Sequence, residues 1–363
     1  MTRILISGYY GFGNIGDEAI LLSLVGSFRG SAPDLDLVVL SGDPGKTERD
    51  CGARCIPRSD YAAILREISD CDLFFSGGGG LFQDVTGIRS LAYYLGLVQL
   101  AEFLGKKVVI GAQGIGPVET LPGREMTRFV VSQADLVIVR DEASSDLLQE
   151  IGIRRKDIAV TADPALLLSP SGKERLKEIL DTEGIPCDGR PLVALSFRKW
   201  QGMDTVLPSV VEALDEFLSR TGALGILIPF QESLDKGILR QISEKLPGRS
   251  LLVSGTYTPS ELAALISAMD LVVAMRLHAC IFAAAFGSVP IGIAYDPKVR
   301  HFLERVGAPV ISLSDVFSGK LGSLLDQAWE RQRDLRDAVS ARTGDLKEKA
   351  HETIKMTLQL LGF

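Results

Sequence analysis

Residues 3–29, RILISGYYGFGNIGDEAILLSLVGSFR, decide the fold. The apolar run 3–7 predicts a β-strand, and residues 17–29 predict a helix whose apolar side chains form one stripe. The glycines between the two allow a tight turn from strand to helix. Short β-rich runs and helical patterns alternate in the same way along most of the chain, which is typical of a parallel sheet with helices on both faces.

The chain of 363 residues has the length of about two domains. Residues 169–190 are rich in Pro and Gly and form the predicted boundary. We therefore expect an α/β protein with two doubly wound, Rossmann-like domains separated by a cleft, followed by C-terminal helices. The expected segments are 1–168, 190–320 and 321–363. The helical pattern of 319–361 is broken near Gly344, and we expect it to return to the first domain.

Composition argues against several classes of function. With 39 Lys and Arg against 46 Asp and Glu, the formal net charge is −7, which argues against nucleic acid as a partner. The three histidines are too few for a multi-histidine zinc site, and no metal site is expected. The five cysteines are scattered and odd in number, so we expect reduced thiols in a cytoplasmic protein. The longest uncharged apolar run, 279–294, is shorter than a spanning helix, and no secretory signal is expected.

Three glycine-rich segments follow predicted strands, at 8–17, 76–84 and 111–117. Their backbone can approach an anion or a sugar closely, and Asp17 is expected to cap the helix that follows it. The alternatives are a plain strand-to-helix turn for the first segment and a hinge for the second. The first segment does not match the G-x-G-x-x-G spacing of dinucleotide sites. The candidate ligand-contacting residues are Gly11, Gly13, Asn14, Asp17, Gly77, Gly78, Gly79, Gly80, Gln83, Asp84 and Gln113.

Four cationic side chains follow other predicted strands, namely Arg140, Arg198, Arg276 and Lys298. An arginine fork binds carboxylate or phosphate through two parallel hydrogen bonds. The pattern therefore predicts a locally basic site for a small polyanion. The alternative for each arginine is an ion pair with a nearby acid, such as Asp141 beside Arg140, and the alternative for Lys298 is a solvated side chain.

His278 lies two residues after Arg276, at the predicted start of a helix. A lone histidine is usually structural or exposed. Its position beside an arginine at a site-forming edge makes it the candidate functional histidine. His301 and His351 fall on polar helical faces and are expected at the surface.

Seven segments together resemble the polysaccharide pyruvyl transferase family, in particular its CsaB type, which acts in bacterial cell-wall polymer assembly. They occur in the family's order over about the first 300 residues, and the ordered set is more specific than any one motif. The segments are 8–21 (GYYGFGNIGDEAIL), 76–84 (SGGGGLFQD), 113–117 (QGIGP), 139–141 (VRD), 161–165 (TADPA), 275–279 (MRLHA) and 295–298 (YDPK).

The resemblance implies a two-domain fold similar to GT-B glycosyltransferases, with the acceptor on the first domain and the donor on the second. It implies phosphoenolpyruvate as co-substrate, no other cofactor, and a pyruvate ketal across O4 and O6 of N-acetylmannosamine (ManNAc). The CsaB-type acceptor is a lipid-diphosphate-linked disaccharide, β-ManNAc-(1→4)-GlcNAc, and its polymer anchors S-layer proteins. Peripheral contact with the inner face of the membrane is therefore expected.

The same resemblance assigns roles to individual residues. Arg140 and Arg276 correspond to donor-binding arginines, His278 to the catalytic acid, and Lys298 to a helper at the donor. Arg198 joins the donor-binding set because it also follows a predicted strand.

Three other functions fit parts of the pattern. A GT-B-type nucleotide-sugar glycosyltransferase shares the fold and the cationic edge, but it releases a nucleoside diphosphate in place of phosphate. A non-catalytic glycan or nucleotide-sugar binding protein binds its ligand without turnover. A dehydrogenase is disfavoured by the glycine spacing.

Overall fold

The computed structural model describes residues 2–85, 87–200 and 202–363. The chain forms two compact units. The first unit comprises Met1–Leu168 together with Leu346–Phe363, and the second comprises Ser169–Asp345.

The first unit contains a parallel sheet of seven strands within the described residues. Its strands are β1 (Arg3–Ser7), β2 (Asp36–Ser41), β3 (Arg54–Pro57), β4 (Leu73–Gly77), β5 (Lys107–Gln113), β6 (Leu136–Val139) and β7 (Ala159–Val160). They lie in the order β3-β2-β1-β4-β5-β6-β7, so the winding direction reverses between β1 and β4. Such a reversal, or switch point, opens a crevice at the carboxyl edge of a doubly wound sheet.

The helices of the first unit cover both faces of this sheet. They are α1 (Ile15–Ser31), α2 (Pro44–Cys51), α3 (Tyr61–Asp70), α4 (Ile88–Phe103), α5 (Leu121–Val131), α6 (Glu142–Glu150) and a 3-10 turn at Pro164–Leu167. The central strands β1 and β4 are almost continuously apolar and buried. That pattern is expected of parallel strands covered on both sides.

The second unit repeats the architecture with a six-stranded parallel sheet in its described residues. Its strands are β8 (Leu192–Ser196), β9 (Leu224–Leu227), β10 (Ser250–Leu252), β11 (Leu271–Ala274), β12 (Val289–Ala294) and β13 (Val310–Ser312). Its helices are α7 (Lys173–Glu183), α8 (Met203–Thr221), α9 (Glu232–Lys245), α10 (Pro259–Ser267), α11 (Leu277–Phe286), α12 (Pro297–Val306), α13 (Leu313–Phe317) and α14 (Leu321–Glu330). The order β10-β9-β8-β11-β12-β13 places the switch point between β8 and β11.

The predicted alternation of strands and helices is confirmed, but the pattern does not predict the short strands β3 and β13. The sequence of β3, RCIP, places exposed Arg54 and Pro57 at its two ends. A proline lacks the N–H that a central strand requires, and β3 is tolerated because it forms the edge of the sheet.

The last helix, α15 (Gln332–Leu361), is continuous, so the predicted break near Gly344 is wrong. The real interruption lies at Arg331, between α14 and α15. The predicted separate segment 321–363 is divided, since residues 346–363 belong to the first unit. There Thr353 Oγ1 hydrogen-bonds to Thr161 Oγ1 at 2.9 Å. No described helix has the length and apolarity needed to cross a bilayer.

Because α15 is continuous, we predict that replacing Gly344 by alanine stabilises the folded protein. This residue is exposed and lies outside the left-handed region, and a Cβ added to it meets nothing within 4 Å. Because glycine costs a helix about 0.5–1 kcal/mol relative to alanine, Gly344→Ala should raise the free energy of unfolding by that amount. Denaturant unfolding measures the change.

Gly287→Ala is the matched control. Gly287 ends α11 with φ +91°, and its Cβ would also meet nothing within 4 Å. The control should lower the free energy of unfolding by about 1 kcal/mol, because a side chain is strained in that region. A loss of stability in Gly344→Ala similar to that of the control would contradict the continuous helix.

Candidate functional site

The glycine loop after β1 lies beside the switch point of the first unit and packs closely against the rest of the chain. Gly11 has φ +80°, and a Cβ on it would lie 2.2 Å from Ser41 Oγ. Gly13 has φ +68°, but its Cβ would meet no described atom within 4 Å. The loop therefore needs Gly11 for both its conformation and its packing, and Gly13 for its conformation alone.

The four-glycine segment after β4 lies on the other side of this switch point. A Cβ on Gly78 would lie 2.2 Å from Ile20 Cγ2, and one on Gly79 would lie 2.5 Å from Asp17 Oδ1. Gly77 is crowded by Phe75, whereas the nearest atom to a Cβ on Gly80 would be 3.9 Å away. Glycine at 77, 78 and 79 lets this segment lie against α1 and its own strand. Close packing therefore explains why these three positions are glycine, without a ligand.

Asn14, and not Asp17, caps helix α1, which corrects the predicted cap. Asn14 Oδ1 accepts from the Gly16 N–H at 3.2 Å, and its Nδ2 donates to Asp17 Oδ2 at 2.5 Å. The sequence patterns give no sign of Glu18, whose Oε1 accepts from the Gly11 N–H at 2.8 Å. Burial raises the pKa of the Glu18 carboxyl to about 6. The polar side chains of this loop thus fix its shape.

Asp84 and Gln113 are engaged inside the chain. Asp84 accepts hydrogen bonds from the N–H groups of Glu119 and Thr120, both at 2.9 Å, and from the Thr120 hydroxyl at 2.6 Å. Gln113 is fully buried and donates to Ser76 Oγ at 3.0 Å. These side chains hold loops together in this structure. Their predicted contact with sugar hydroxyls stays a prediction, as does that of half-buried Gln83.

Arg140 directly follows β6 and is buried between two carboxylates. Its Nη1 lies 3.1 Å from Asp163 Oδ2, and its Nε lies 3.4 Å from Asp141 Oδ2. The guanidinium passes so close to Gly114 that a Cβ there would lie 2.5 Å from Nη2. The alternative of an ion pair with Asp141 is therefore what the structure shows, with Asp163 as a second, closer partner. The donor-binding role of Arg140 stays a prediction.

Arg276 sits at the switch point of the second unit, at the N-cap of α11, and is also ion-paired. Its Nε lies 3.2 Å from Asp235 Oδ2, and its Nη2 bonds the other oxygen of the same carboxylate. Asp235 is fully buried and also accepts from the N–H groups of Phe230 and Gln231, at 3.0 and 2.8 Å. No pattern in the sequence links Arg276 with Asp235, because 41 residues separate them.

Arg198 follows β8 and is held by a tyrosine. Its Nη1 donates to Tyr295 Oη at 2.8 Å, and its Cζ lies 5.2 Å from the centre of the Tyr295 ring. Its Nε is buried and has no hydrogen-bond partner in the described part of the chain. Because β11 lies between β8 and β12, this contact passes over the carboxyl end of β11, where α11 begins.

His278 is the second residue of α11, and its side chain is partly exposed. Lys298 lies in the first turn of α12, where its Nζ is 2.9 Å from Asp296 Oδ2, so it forms a partly exposed ion pair. Arg140, Arg276 and Lys298 therefore all have carboxylate partners, which for the two arginines is the alternative that the sequence leaves open. Their predicted roles at the donor stay predictions. A buried guanidinium without a counter-charge would cost several kcal/mol, which explains the pairing of the two buried arginines.

Metal ligation finds no support in the part of the chain that the structure describes. No group of three or more His, Cys, Asp or Glu side chains there is arranged to hold an ion. The candidate residues instead offer guanidinium groups, a helix N-terminus and an imidazole, which suit an anionic ligand and a proton transfer.

Solved structures similar to this chain share its fold. HepE of Anabaena in complex with UDP-glucose matches with a TM-score of 0.69 and 14% identity, over 99% of this chain and 100% of that one. MnaA of S. aureus with UDP matches with a TM-score of 0.67 and 12% identity, over 99% of this chain and 98% of that one. The predicted GT-B-like α/β class, found in glycosyltransferases and epimerases, is thereby confirmed.

A match to a family model identifies the family to which this chain belongs. The model for polysaccharide pyruvyl transferase matches residues 14–297, and the chain belongs to that family. It is also 22% identical, over 93% of its own length and 95% of the relative's, to the amylovoran biosynthesis protein AmsJ of Erwinia amylovora. The protein is therefore a transferase that acts in polysaccharide pyruvylation.

The buried pair of Arg276 and Asp235 gives a stability prediction. Asp235→Asn removes the counter-charge while keeping the side-chain shape, so it should lower the free energy of unfolding by about 3–5 kcal/mol in denaturant titrations. The control is Glu304→Gln, which breaks the half-exposed pair with Arg300 at 3.7 Å and should cost less than about 1 kcal/mol. Equal effects of the two substitutions would contradict a buried, structurally required pair.

Proposed function

We propose that this transferase takes its pyruvyl group from phosphoenolpyruvate and forms a 4,6-linked ketal on a ManNAc residue. The acceptor is a lipid-diphosphate-linked cell-wall precursor, as in the CsaB type, and the product serves in S-layer anchoring. The observation that supports the donor best is the grouping of Arg198, Arg276 and His278 around the switch point of the second unit's sheet.

The charge of phosphoenolpyruvate matches these groups. The molecule carries a carboxylate and a phosphate a few bonds apart. Arg198 offers a buried Nε without a partner among the described residues. Asp235 accepts hydrogen bonds from Nε and Nη2 of Arg276, so in this proposal Nη1 is the nitrogen that binds the donor. The first N–H groups of α11 lack intrahelical acceptors and add to the attraction for an anion.

The chemistry requires an acid beside this anion. A sugar hydroxyl attacks the central carbon of phosphoenolpyruvate while the methylene carbon gains a proton, and phosphate then leaves as the second hydroxyl closes the ring. Of the two hydroxyl protons lost by the sugar, one balances the proton added to carbon and the other leaves with phosphate. An imidazolium can deliver a proton near neutral pH, and His278 is assigned this role.

The reaction itself can be tested with the full chain, phosphoenolpyruvate and a lipid-diphosphate-linked ManNAc–GlcNAc analogue. The expected product is heavier by one pyruvate less one water, with one phosphate released for each ketal formed. A product that appears only when a UDP-sugar replaces phosphoenolpyruvate, with release of UDP, would overturn the proposal in favour of a glycosyltransferase. The same disaccharide ending in GlcNAc in place of ManNAc tests the choice of sugar.

Substitution of His278 tests the acid. We expect His278→Ala to lower kcat at least about 100-fold, because general acid catalysis contributes on that scale, while the thermal unfolding midpoint stays within the range of the parent. His301→Ala, on α12, is the control and should retain normal turnover. Near-normal ketal formation by His278→Ala would remove the residue from the mechanism.

Substitution of Arg276 tests donor binding. Lysine cannot hold Asp235 through two hydrogen bonds and still offer a further N–H to the donor. Arg276→Lys should therefore raise the KM for phosphoenolpyruvate about tenfold and change the acceptor KM little. Arg300→Lys, on the partly exposed surface of α12, should leave both values unchanged. Initial rates of phosphate release give both constants, and an unaltered donor KM in Arg276→Lys would count against the assignment.

A further inference from the structure

An arginine of the first unit is enclosed by aromatic rings at the carboxyl edge of its sheet. Arg58 follows β3, and its Cζ lies 4.3 Å from the centre of the Tyr93 ring and 5.2 Å from those of Phe12 and Tyr94. Tyr9 stacks on Phe12, with ring centres 4.4 Å apart and planes inclined by 15°. These five residues are named the arginine–aromatic cluster. Tyr9 and Phe12 lie in the glycine loop after β1, but none of the five side chains has been assigned a role above.

No acid among the described residues compensates the charge of Arg58. Within the described part of the chain no carboxylate lies in ion-pair distance of its guanidinium, which instead donates to Tyr94 Oη at 3.0 Å. This distinguishes it from Arg140, which is paired with Asp163. Aromatic faces attract a cation and ease its partial burial, but they do not neutralise it, so the cluster keeps a net positive charge.

The cluster is held in place by the backbone around it. The Arg58 N–H donates to the Ser41 carbonyl at 2.9 Å, and Tyr93 Oη donates to the Arg58 carbonyl at 2.9 Å. A Cβ on Gly42 would lie 2.8 Å from Phe12 Cζ, so the Phe12 ring rests directly on that glycine. A site fixed in this way is ordered before a ligand arrives, which reduces the entropy cost of binding.

The exposed aromatic residue of the cluster is Phe12, which lies next to the cation. Phe12 is 40% exposed although it packs on Tyr9 and Gly42, and it projects from the glycine loop at the switch point. Ligands of a doubly wound sheet bind at this edge. A ring with an apolar face can stack on Phe12 while an attached anion reaches Arg58.

We infer that the arginine–aromatic cluster binds a sugar phosphate, with the sugar ring on Phe12 and the phosphate on Arg58. This inference rests on the proposed function, in which the ligand is the glycosyl diphosphate part of the acceptor. The cluster recognises the phosphate together with the sugar and discriminates against the same glycan without phosphate.

Equilibrium binding to the full chain, without phosphoenolpyruvate, tests this inference. The probes are the ManNAc–GlcNAc disaccharide with a short prenyl diphosphate, the same disaccharide as its methyl glycoside, and UDP. Arg58→Gln should weaken binding of the diphosphate about tenfold or more and leave the methyl glycoside unchanged, because one charge-assisted contact is lost. Phe12→Leu should weaken binding of both saccharides severalfold.

Arg66→Gln is the matched control, since it removes an equal charge from an exposed position on α3. It should leave binding of all three probes unchanged. Arg58→Lys keeps the charge and should retain most of the preference for the diphosphate. This variant keeps the inference testable if Arg58→Gln lowers the unfolding midpoint.

Two results would overturn the inference. One is equal affinity of the parent and of Arg58→Gln for the diphosphate-linked disaccharide. The other is that the parent binds UDP more tightly than the disaccharide and that Arg58→Gln loses this UDP binding, which would make the cluster a nucleotide site. Binding is measured without turnover, so failure of the parent to form a ketal would overturn the proposed function and leave this inference standing.

Discussion

A guanidinium that is buried where a parallel strand ends requires a carboxylate within reach, because desolvation of an isolated charge costs several kcal/mol. Arg140 meets this requirement through Asp163 and Asp141, and Arg276 meets it through Asp235. Each aspartate also accepts a backbone N–H from a residue two to five positions away in the chain. The ion pairs therefore fix the direction of each arginine and the shape of the neighbouring loops together.

The same requirement decides which cations remain attractive to anions. Paired arginines contribute directed N–H groups but little net charge, and the partly exposed pair of Lys298 with Asp296 is weak and screened by salt. Arg58 and Arg198 differ because tyrosines hold them and no carboxylate of the described chain does. A phenol orients a guanidinium without cancelling its charge. Each unit thus keeps positive charge at the carboxyl edge of its sheet within a protein of net charge −7.

The sequence predicts the α/β class and most strands because parallel strands covered on both faces leave long apolar runs between glycine turns. It locates Arg276 and His278 at a strand end for the same reason. It does not reveal Asp235 or Tyr295, which reach their arginines from other elements, across 41 and 97 residues. It also misplaces the end of α14, because a glycine such as Gly344 weakens a helix without ending it when its backbone stays right-handed.

The glycine loops show that a high glycine content is by itself weak evidence for a binding site. Gly11 and Gly78 are required where the chain meets Ser41 and Ile20, so crowding by protein atoms accounts for both. Gly13 differs, since its conformation needs glycine while the space beside it holds no described atom. Phe12 lies between Gly11 and Gly13, and this explains how one loop can be anchored on one side and open on the other. The anchored side sets the position of the Phe12 ring, and on the open side Phe12 stays 40% exposed.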